Sequence, residues 1–448
     1  MNKDMTQGRE WKLILLFTLP IMAGNLLQQL YNTADNVIVG NFVSEAAFSG
    51  VAVCSALTFL FLSFAMGISV GAGVVTAQLF GARQNEKLSV SVDTSLLLLG
   101  ALGIAVTVIG WAATPFLLKT VLSVPEGDIL EHAVVYMRIY CLGLPFQFVY
   151  NCISYILRGV GDSKASLYFL LITTALNVIL DLAAVLLLDM GVAGTAWATV
   201  LSQLVCAGIS YVYLRRRFPL VREARHFDGD ICKTVLKIGL PTAVQQSIVS
   251  LGAVAMQRLV NGFDEATIAA FGAGNRVNSF VFVPIIGFQS GLSNFTGQNI
   301  GAGRLDRVRR GYRATLAMGL FATVVICALM YAFAGRTVAL FGLRGASLDV
   351  GAEMIRFHAK WYWFFSLYML LGGVLQGAGD TLLQSAATLT ALVVRVALGY
   401  LGVHFGVLGY SGAWATTPVG WAAAAVITNV RYFTGGWKNK AIVRTPQQ

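Results

Sequence analysis

Charge is scarce in this chain. Of its 448 residues only 12% are Asp, Glu, Lys or Arg, against roughly 25% in ordinary soluble domains. That deficit, beside a hydrophobic content of 56%, excludes a soluble helical domain. Catalytic signatures are missing too. No G-x-x-x-x-G-K-[ST] phosphate loop is present, so ATP hydrolysis by that route is excluded. Gly71-Ala72-Gly73 is no nucleotide fingerprint within an apolar run. The four histidines (His132, His226, His358, His404) show no zinc spacing, and no serine nucleophile elbow occurs. The six cysteines are scattered through apolar segments without a C-x-x-C pair and read as small core residues. Neither an enzyme nor a bound cofactor is expected.

Long apolar stretches dominate. Runs near the ~20 residues needed to cross ~30 Å of hydrocarbon recur from end to end. The first, from Leu13, lacks a small-residue cleavage site and reads as a span, not a signal peptide. Twelve spans are expected, near 13–39, 46–79, 90–112, 133–156, 166–188, 193–214, 234–260, 267–299, 314–334, 354–375, 385–405 and 412–434. The net charge of +11 sorts with them. Arg83 and Lys87, Arg158 and Lys164, the run Arg215-Arg216-Arg217, and Arg304 to Arg313 fall on the same side as both ends of the chain. The other side holds only Lys119, Arg336 and Arg344. The positive-inside rule then puts both termini in the cytoplasm of a cell-membrane protein. The basic charge is explained by topology, not by a nucleic-acid partner.

The chain also repeats itself. Gly67-x-x-x-Gly71-x-x-x-x-Thr76-x-Gln78-x-x-Gly81-Ala82 returns 220 residues later as Gly287-x-x-x-Gly291-x-x-x-x-Thr296-x-Gln298-x-x-Gly301-Ala302. Leu19-Pro20 returns as Leu240-Pro241. Leu157-x-Gly159-x-Gly161-Asp162 returns as Leu375-x-Gly377-x-Gly379-Asp380, and Ala196-Trp197-Ala198-Thr199 as Ala413-Trp414-Ala415-Thr416. Four ordered matches define a duplicated unit. The expected fold is an all-α integral membrane protein with twelve transmembrane helices in two six-helix bundles, at 1–217 and 234–448, joined by a cytoplasmic linker at 218–233. With an even number of spans per copy, the bundles are expected to be related by a pseudo-two-fold axis along the membrane normal, with the substrate path between them.

Few ionisable residues lie inside spans, where each costs about 2.5–3.5 kcal/mol on insertion scales. Asp181 is mid-span, with Asn177 one helical turn earlier on the same face. A carboxylate beside an amide carbonyl suits a small cation or a proton. Asp35 lies fifteen residues after Pro20, which with Pro241 is positioned to bend its helix. The repeat does not copy these acids. Asp35 corresponds to Met256, Asn177 to Arg395, Asp181 to Gly399, and only Thr199 keeps its type, as Thr416. Ion chemistry is therefore expected in the N-terminal half alone. Asn25, Gln28, Gln147, Asn151, Gln245, Asn275 and Arg395 are candidate cavity residues. The aromatic run Trp361 to Phe365 with Tyr368 reads chiefly as an interfacial belt.

Twelve spans in two halves, Leu-Pro early in each half, the Gly/Gln/Gly-Ala block ending each second span, and Thr33-x-Asp35-x-x-x-Val39-Gly40 together resemble the multidrug and toxic compound extrusion (MATE) family of cation-coupled antiporters. The resemblance covers nearly the whole chain. It implies efflux of small organic, often cationic compounds by alternating access, in exchange for H+ or Na+. It implies a monomer in membrane lipid, with no ATPase subunit. It implies a cation site in the first lobe at Asp35, Asn177, Asp181 and Thr199, and a first helix bent at Pro20. Other branches place an acid in the seventh helix. This chain has Gln245 and Gln246 there and no carboxylate between Lys237 and Asp264, a departure that argues against an ion site in the second lobe. The alternative is a lipid-linked oligosaccharide flippase of similar architecture, whose cavity is more strongly charged.

Overall fold

The computed structural model describes residues 4–42, 45–122, 124, 126–188, 190–218 and 226–442, with side chains described outside 30–48. Every regular element among the described residues is helical. In the first half these are α1 (Glu10–Phe42), α2 (Glu45–Gly81), α3 (Asn85–Phe116), α4 (Asp128–Gly159), α5 (Ser163–Leu182) and α6 (Gly191–Arg217). In the second they are α7 (Gly229–Val260), α8 (Glu265–Gly301), α9 (Leu305–Ala332), α10 (Ala334–Ala339), α11 (Ala346–Ala359), α12 (Tyr362–Ala378), α13 (Thr381–His404), α14 (Gly412–Ala415) and α15 (Thr417–Thr434). They follow the twelve expected rods. The ninth rod continues into α10, the tenth is broken between α11 and α12, and the twelfth between α14 and α15. The last break has a local cause. Pro418 has no N–H to continue a helix through Thr416 but suits the first turn of a new one.

Nine helices among the described residues are long and apolar enough to cross a membrane. The remaining rods depart for visible reasons. Helix α12 has only 17 residues because of the break before it, α15 is shortened in the same way, and α8 carries Asn275, Asn278, Gln289, Asn294, Gln298 and Asn299.

The helices gather into two compact units, Ala23–Gln246 and Asp4–Met22 with Ser247–Gln448. They are called here the N-terminal and C-terminal units. Both are wired alike. In the N-terminal unit α4 packs on α2, α3 and α6, and α5 packs on α6. In the C-terminal unit α12 packs on α8, α9 and α15, and α13 packs on α15. The units exchange half-helices. The start of α1 belongs to the C-terminal unit and the start of α7 to the N-terminal one.

The repeated glycines account for that exchange. A Cβ on Gly67 would lie 2.3 Å from Cα of Ala243, and one on Gly71 2.2 Å from the carbonyl oxygen of Val235. Both contacts are with the start of α7. On α8, a Cβ on Gly287 would lie 2.5 Å from Cγ of Met22, and one on Gly291 2.2 Å from Oγ1 of Thr18. The first stripe thus admits its half-helix at backbone distance, and the second leaves room for the Thr18 and Met22 side chains of the other. Around the second stripe, Ile14, Phe17 and Ile21 join Phe288, Leu292, Phe295, Val374 and Leu375 in one core. Both chain crossings follow a proline. Helix α1 passes between units after Met22, just beyond Pro20, and α7 after Gln246, just beyond Pro241. Neither proline interrupts its helix.

Polar straps hold the exchanged segments. In the C-terminal unit, Met5 N donates to Oε1 of the repeated Gln298 (2.9 Å), and Arg307 donates to the carbonyl of Gly8 (3.0 Å) and pairs with Glu10 (3.2 Å). In the N-terminal unit, buried Asp93 receives Arg215 (2.5 Å) and meets His226 (3.0 Å), while Asp228 N donates to Thr94 Oγ1 (3.0 Å).

The Leu-x-Gly-x-Gly-Asp motif is also explained twice over. Gly161 and Gly379 both adopt φ of +86°, a left-handed turn that favours glycine. The aspartate after each turn anchors a later helix. Asp162 accepts from Arg217 (2.6 Å) and Tyr213 (2.8 Å), and Asp380 accepts from Arg431 (2.7 Å).

Candidate functional site

Helices α5 and α6 bring three of the four predicted ion-coupling residues together. Asn177 and Asp181 lie one turn apart on α5, 1% and 3% exposed although the helix carries exposed Ile172 and Ile179 on its other faces. Nδ2 of Asn177 lies 3.5 Å from Oγ1 of Thr199 on α6. Thr199 also donates to the carbonyl of Thr195 (3.0 Å), which leaves its lone pairs turned toward α5. Directly after Asp181 the helix widens into a π turn, Leu117–Val121 having the same form at the end of α3 and Ala183–Leu187 here. Such a turn loosens the regular hydrogen-bond ladder and recurs at functional positions. A buried carboxylate and amide on one face of α5, with a hydroxyl of α6 against the amide, thus lie inside a span. Residues of these types can in principle serve a hard cation or, at the carboxylate, a proton.

The Asp35 side chain lies outside the described residues, on the second half of α1. The repeat offers a comparison in the C-terminal unit. There the matching residues are Met256 and Gly399, and they are neighbours. A Cβ on Gly399 would lie 3.4 Å from Cε of Met256 and 3.4 Å from the carbonyl oxygen of Gly412. Met256 thus packs beside Gly399, an apolar pair where the repeat sets two acids in the N-terminal unit.

The remaining predicted polar residues divide between the units. Asn25 and Gln28 are half-buried on the part of α1 within the N-terminal unit. In that unit Gln147 accepts from Tyr140 (3.4 Å), and Asn151 donates back to the carbonyl of Gln147 (2.8 Å). Gln245 is buried, and its Oε1 has no hydrogen-bond partner among the described residues. Asn275 and Arg395 belong to the C-terminal unit. Asn275 is half-buried on α8, where its carbonyl accepts from Ser279 (3.1 Å).

The aromatic run is not a simple belt. Trp361 and Trp363 are exposed, but Tyr362, Phe365 and Tyr368 are buried and pack with Phe282 and Trp421. The break before α12 turns one edge of the run inward. Two features escaped sequence reasoning. One is the set of ion pairs at Asp93, Asp162 and Asp380. The other is His358, noted only for the absence of zinc spacing, yet 2% exposed within the C-terminal unit. The Asp at the end of each Leu-x-Gly-x-Gly-Asp repeat was a signal for the former.

A fold of two such wired-alike helical units, with a polar acidic cluster inside a span, is that of a multi-pass membrane transporter. The MatE family model matches residues 20–183 and 241–401, one stretch in each repeat, and the chain belongs to that family. It is 29% identical to the probable multidrug resistance protein YoeA of Bacillus subtilis over 98% of this chain and 96% of that one. It is 25% identical to the probable multidrug resistance protein NorM of Thermotoga maritima over 96% and 94% of the two chains. A solved MATE structure in a bent conformation superposes with a TM-score of 0.90 at 24% identity, covering 99% of this chain and all of that one.

Proposed function

We propose that this protein exports small organic compounds, often cationic, across the cell membrane in exchange for H+ or Na+, and that the coupling ion binds in the N-terminal unit. The observation that carries this reading is the buried Asn177–Asp181 face of α5 against Thr199 of α6. Its relatives are named for multidrug resistance, and the chain has no phosphate loop to draw on ATP. An ion gradient supplies about 2.3 kcal/mol per charge per 100 mV, which matches the cost of one buried charge.

In this reading Asp35 is the second carboxylate. The contact between Met256 and the Gly399 position supports it, because the repeat relates those two to Asp35 and Asp181. Both termini then face the cytoplasm. Ion entry from outside neutralises Asp181. That removes the demand for hydrogen bonds to a charged carboxylate and frees the π turn at Ala183–Leu187 to re-form. Helices α5 and α6 repack, cargo affinity falls, and cargo leaves outward by alternating access. The test is uptake of an organic cation dye into inverted vesicles under separately imposed proton and sodium gradients. Uptake driven by one gradient is expected. Uptake that follows neither gradient, or that requires ATP, would refute the reading.

A further inference from the structure

Three successive arginines close α6, and carboxylates engage only two of them. Arg215 pairs with Asp93 (2.5 Å) and Arg217 with Asp162 (2.6 Å). Successive helical residues point about 100° apart, so the middle arginine faces elsewhere. Arg216 is exposed and has no ion pair among the described residues. Lys164, two residues after Asp162 at the start of α5, is likewise exposed and without an ion pair among them.

Arg216 stands at one end of a groove. The groove has a volume of about 490 Å³ and follows Val205, Ile209, Val212 and Tyr213 along α6, with Phe169 of α5 in its wall. Arg216 is its only charged lining residue. The α6 positions recur every three or four residues and so form one stripe of the helix. From Val205 to Arg216 that stripe rises roughly 16 Å, about half of the ~30 Å hydrocarbon thickness. The groove is thus about one leaflet deep, on a helix long and apolar enough to cross a membrane. Its floor includes Gly208. Among the described residues no atom lies within 4 Å of a Cβ built there, so no neighbouring helix requires glycine at that place. Glycine weakens a helix interior, and here its effect is to keep the groove open.

We propose that this groove binds one anionic phospholipid, its phosphate held by Arg216 and one acyl chain laid over Gly208 along Val212, Ile209 and Val205. A planar guanidinium matches phosphate in two-point geometry, and basic pockets between spans take anionic headgroups. Arg215 and Arg217 are neutralised by Asp93 and Asp162. Arg216 and Lys164 then leave a positive excess at this end, which favours a net-negative headgroup over a zwitterionic one. The wall beside the headgroup is held in place. Tyr213 meets Phe169 edge-on, with centroids 5.5 Å apart, and donates its hydroxyl to Asp162 at 2.8 Å. The lipid bridges α5 and α6, the pair that carries Asn177, Asp181 and Thr199. The inference needs α6 to lie in a membrane and makes no use of the export reading.

The experiment is native mass spectrometry of the purified full chain in detergent, titrated with dimyristoyl phosphatidylglycerol or, separately, dimyristoyl phosphatidylcholine. Native protein is expected to retain one phosphatidylglycerol at least about tenfold more tightly than phosphatidylcholine. Arg216→Gln, which removes the charge, and Gly208→Leu, which fills the groove with a better helix former, should each abolish the preference. Arg216→Lys keeps part of it. Arg309→Gln, at an exposed arginine of α9, leaves it unchanged. The measurement on native protein stands even if a variant does not fold. Equal retention of the two lipids, a preference that survives Arg216→Gln or Gly208→Leu, or an equal loss in Arg309→Gln overturns the proposal. So does displacement of the lipid by glycerophosphate, which would mean a site for a free phosphate. A dimer that Gly208→Leu dissociates would mean that a second copy covers the groove, and overturns it too.

Discussion

Nδ2 of Asn177 reaches Oγ1 of Thr199 across α5 and α6 at 3.5 Å, whereas the matching Thr416 donates to the backbone carbonyl of Arg395 at 3.0 Å. The same threonine serves side-chain chemistry in one unit and backbone capping in the other. Removing each hydroxyl should therefore have different effects. Thr199→Val is expected to keep the fold and weaken ion dependence of transport about tenfold, the loss of one polar partner. Thr416→Val is expected to lower thermal stability and leave ion dependence unchanged. Ion titrations and melting curves of the two variants separate these outcomes.

The exchanged half-helices rest on glycines where a Cβ would meet backbone of α7 or the Thr18 and Met22 side chains of α1. Gly71→Val would drive a branched side chain into the carbonyl of Val235, now 2.2 Å from the Cβ position, and Gly291→Val would do the same at Thr18. Each is expected to cost more than about 3 kcal/mol, as severe overpacking does. Gly208, with open space around its Cβ position, is the control. Gly208→Ala should stay within about 1 kcal/mol of native. Detergent-solubilised melting temperatures check the set.

The paired aspartates predict parallel losses. Asp162→Asn strips Arg217 and Tyr213 of a nearly buried carboxylate, and Asp380→Asn strips Arg431. Breaking one partner of such a pair is expected to cost about 3 kcal/mol. The exchange Asp380→Arg with Arg431→Asp should recover part of that loss. Melting of the two single variants beside the double one is the measurement.

Asp93 is expected to control the second strap. Asp93→Asn weakens its hold on Arg215 and His226. Amide exchange at Asp228, whose N–H donates to Thr94, should then quicken about tenfold or more through local opening. Exchange at native rate would mean that the Thr94 bond alone holds the strap.

Much of this is legible in the sequence. Hydrophobic runs set the twelve rods, and the repeat set the two wired-alike units. The half-helix exchange was not legible. A small-x-x-x-small stripe announces a close neighbour but not which helix it is, so Gly67 and Gly71 gave no hint of α7. The break before α12 was hidden because Lys360 and Trp361 carry no breaker signal. Tyr362 and Trp363 are successive residues of α12, so they face different sides of it and differ in burial. At the candidate site, helical spacing predicted the shared face of Asn177 and Asp181, but only packing could bring Thr199 to it. His358 was passed over because a lone histidine in an apolar run has no spacing to read.

The central claim is that Asp181 couples ion entry to export, and one measurement bears on it most directly. Native protein and Asp181→Asn are reconstituted at equal density in proteoliposomes, and dye efflux is followed with and without an imposed ion gradient. The account predicts that the native protein accelerates with the gradient, while Asp181→Asn stays folded, still binds dye and shows no gradient dependence. Full gradient-driven efflux by Asp181→Asn would contradict it.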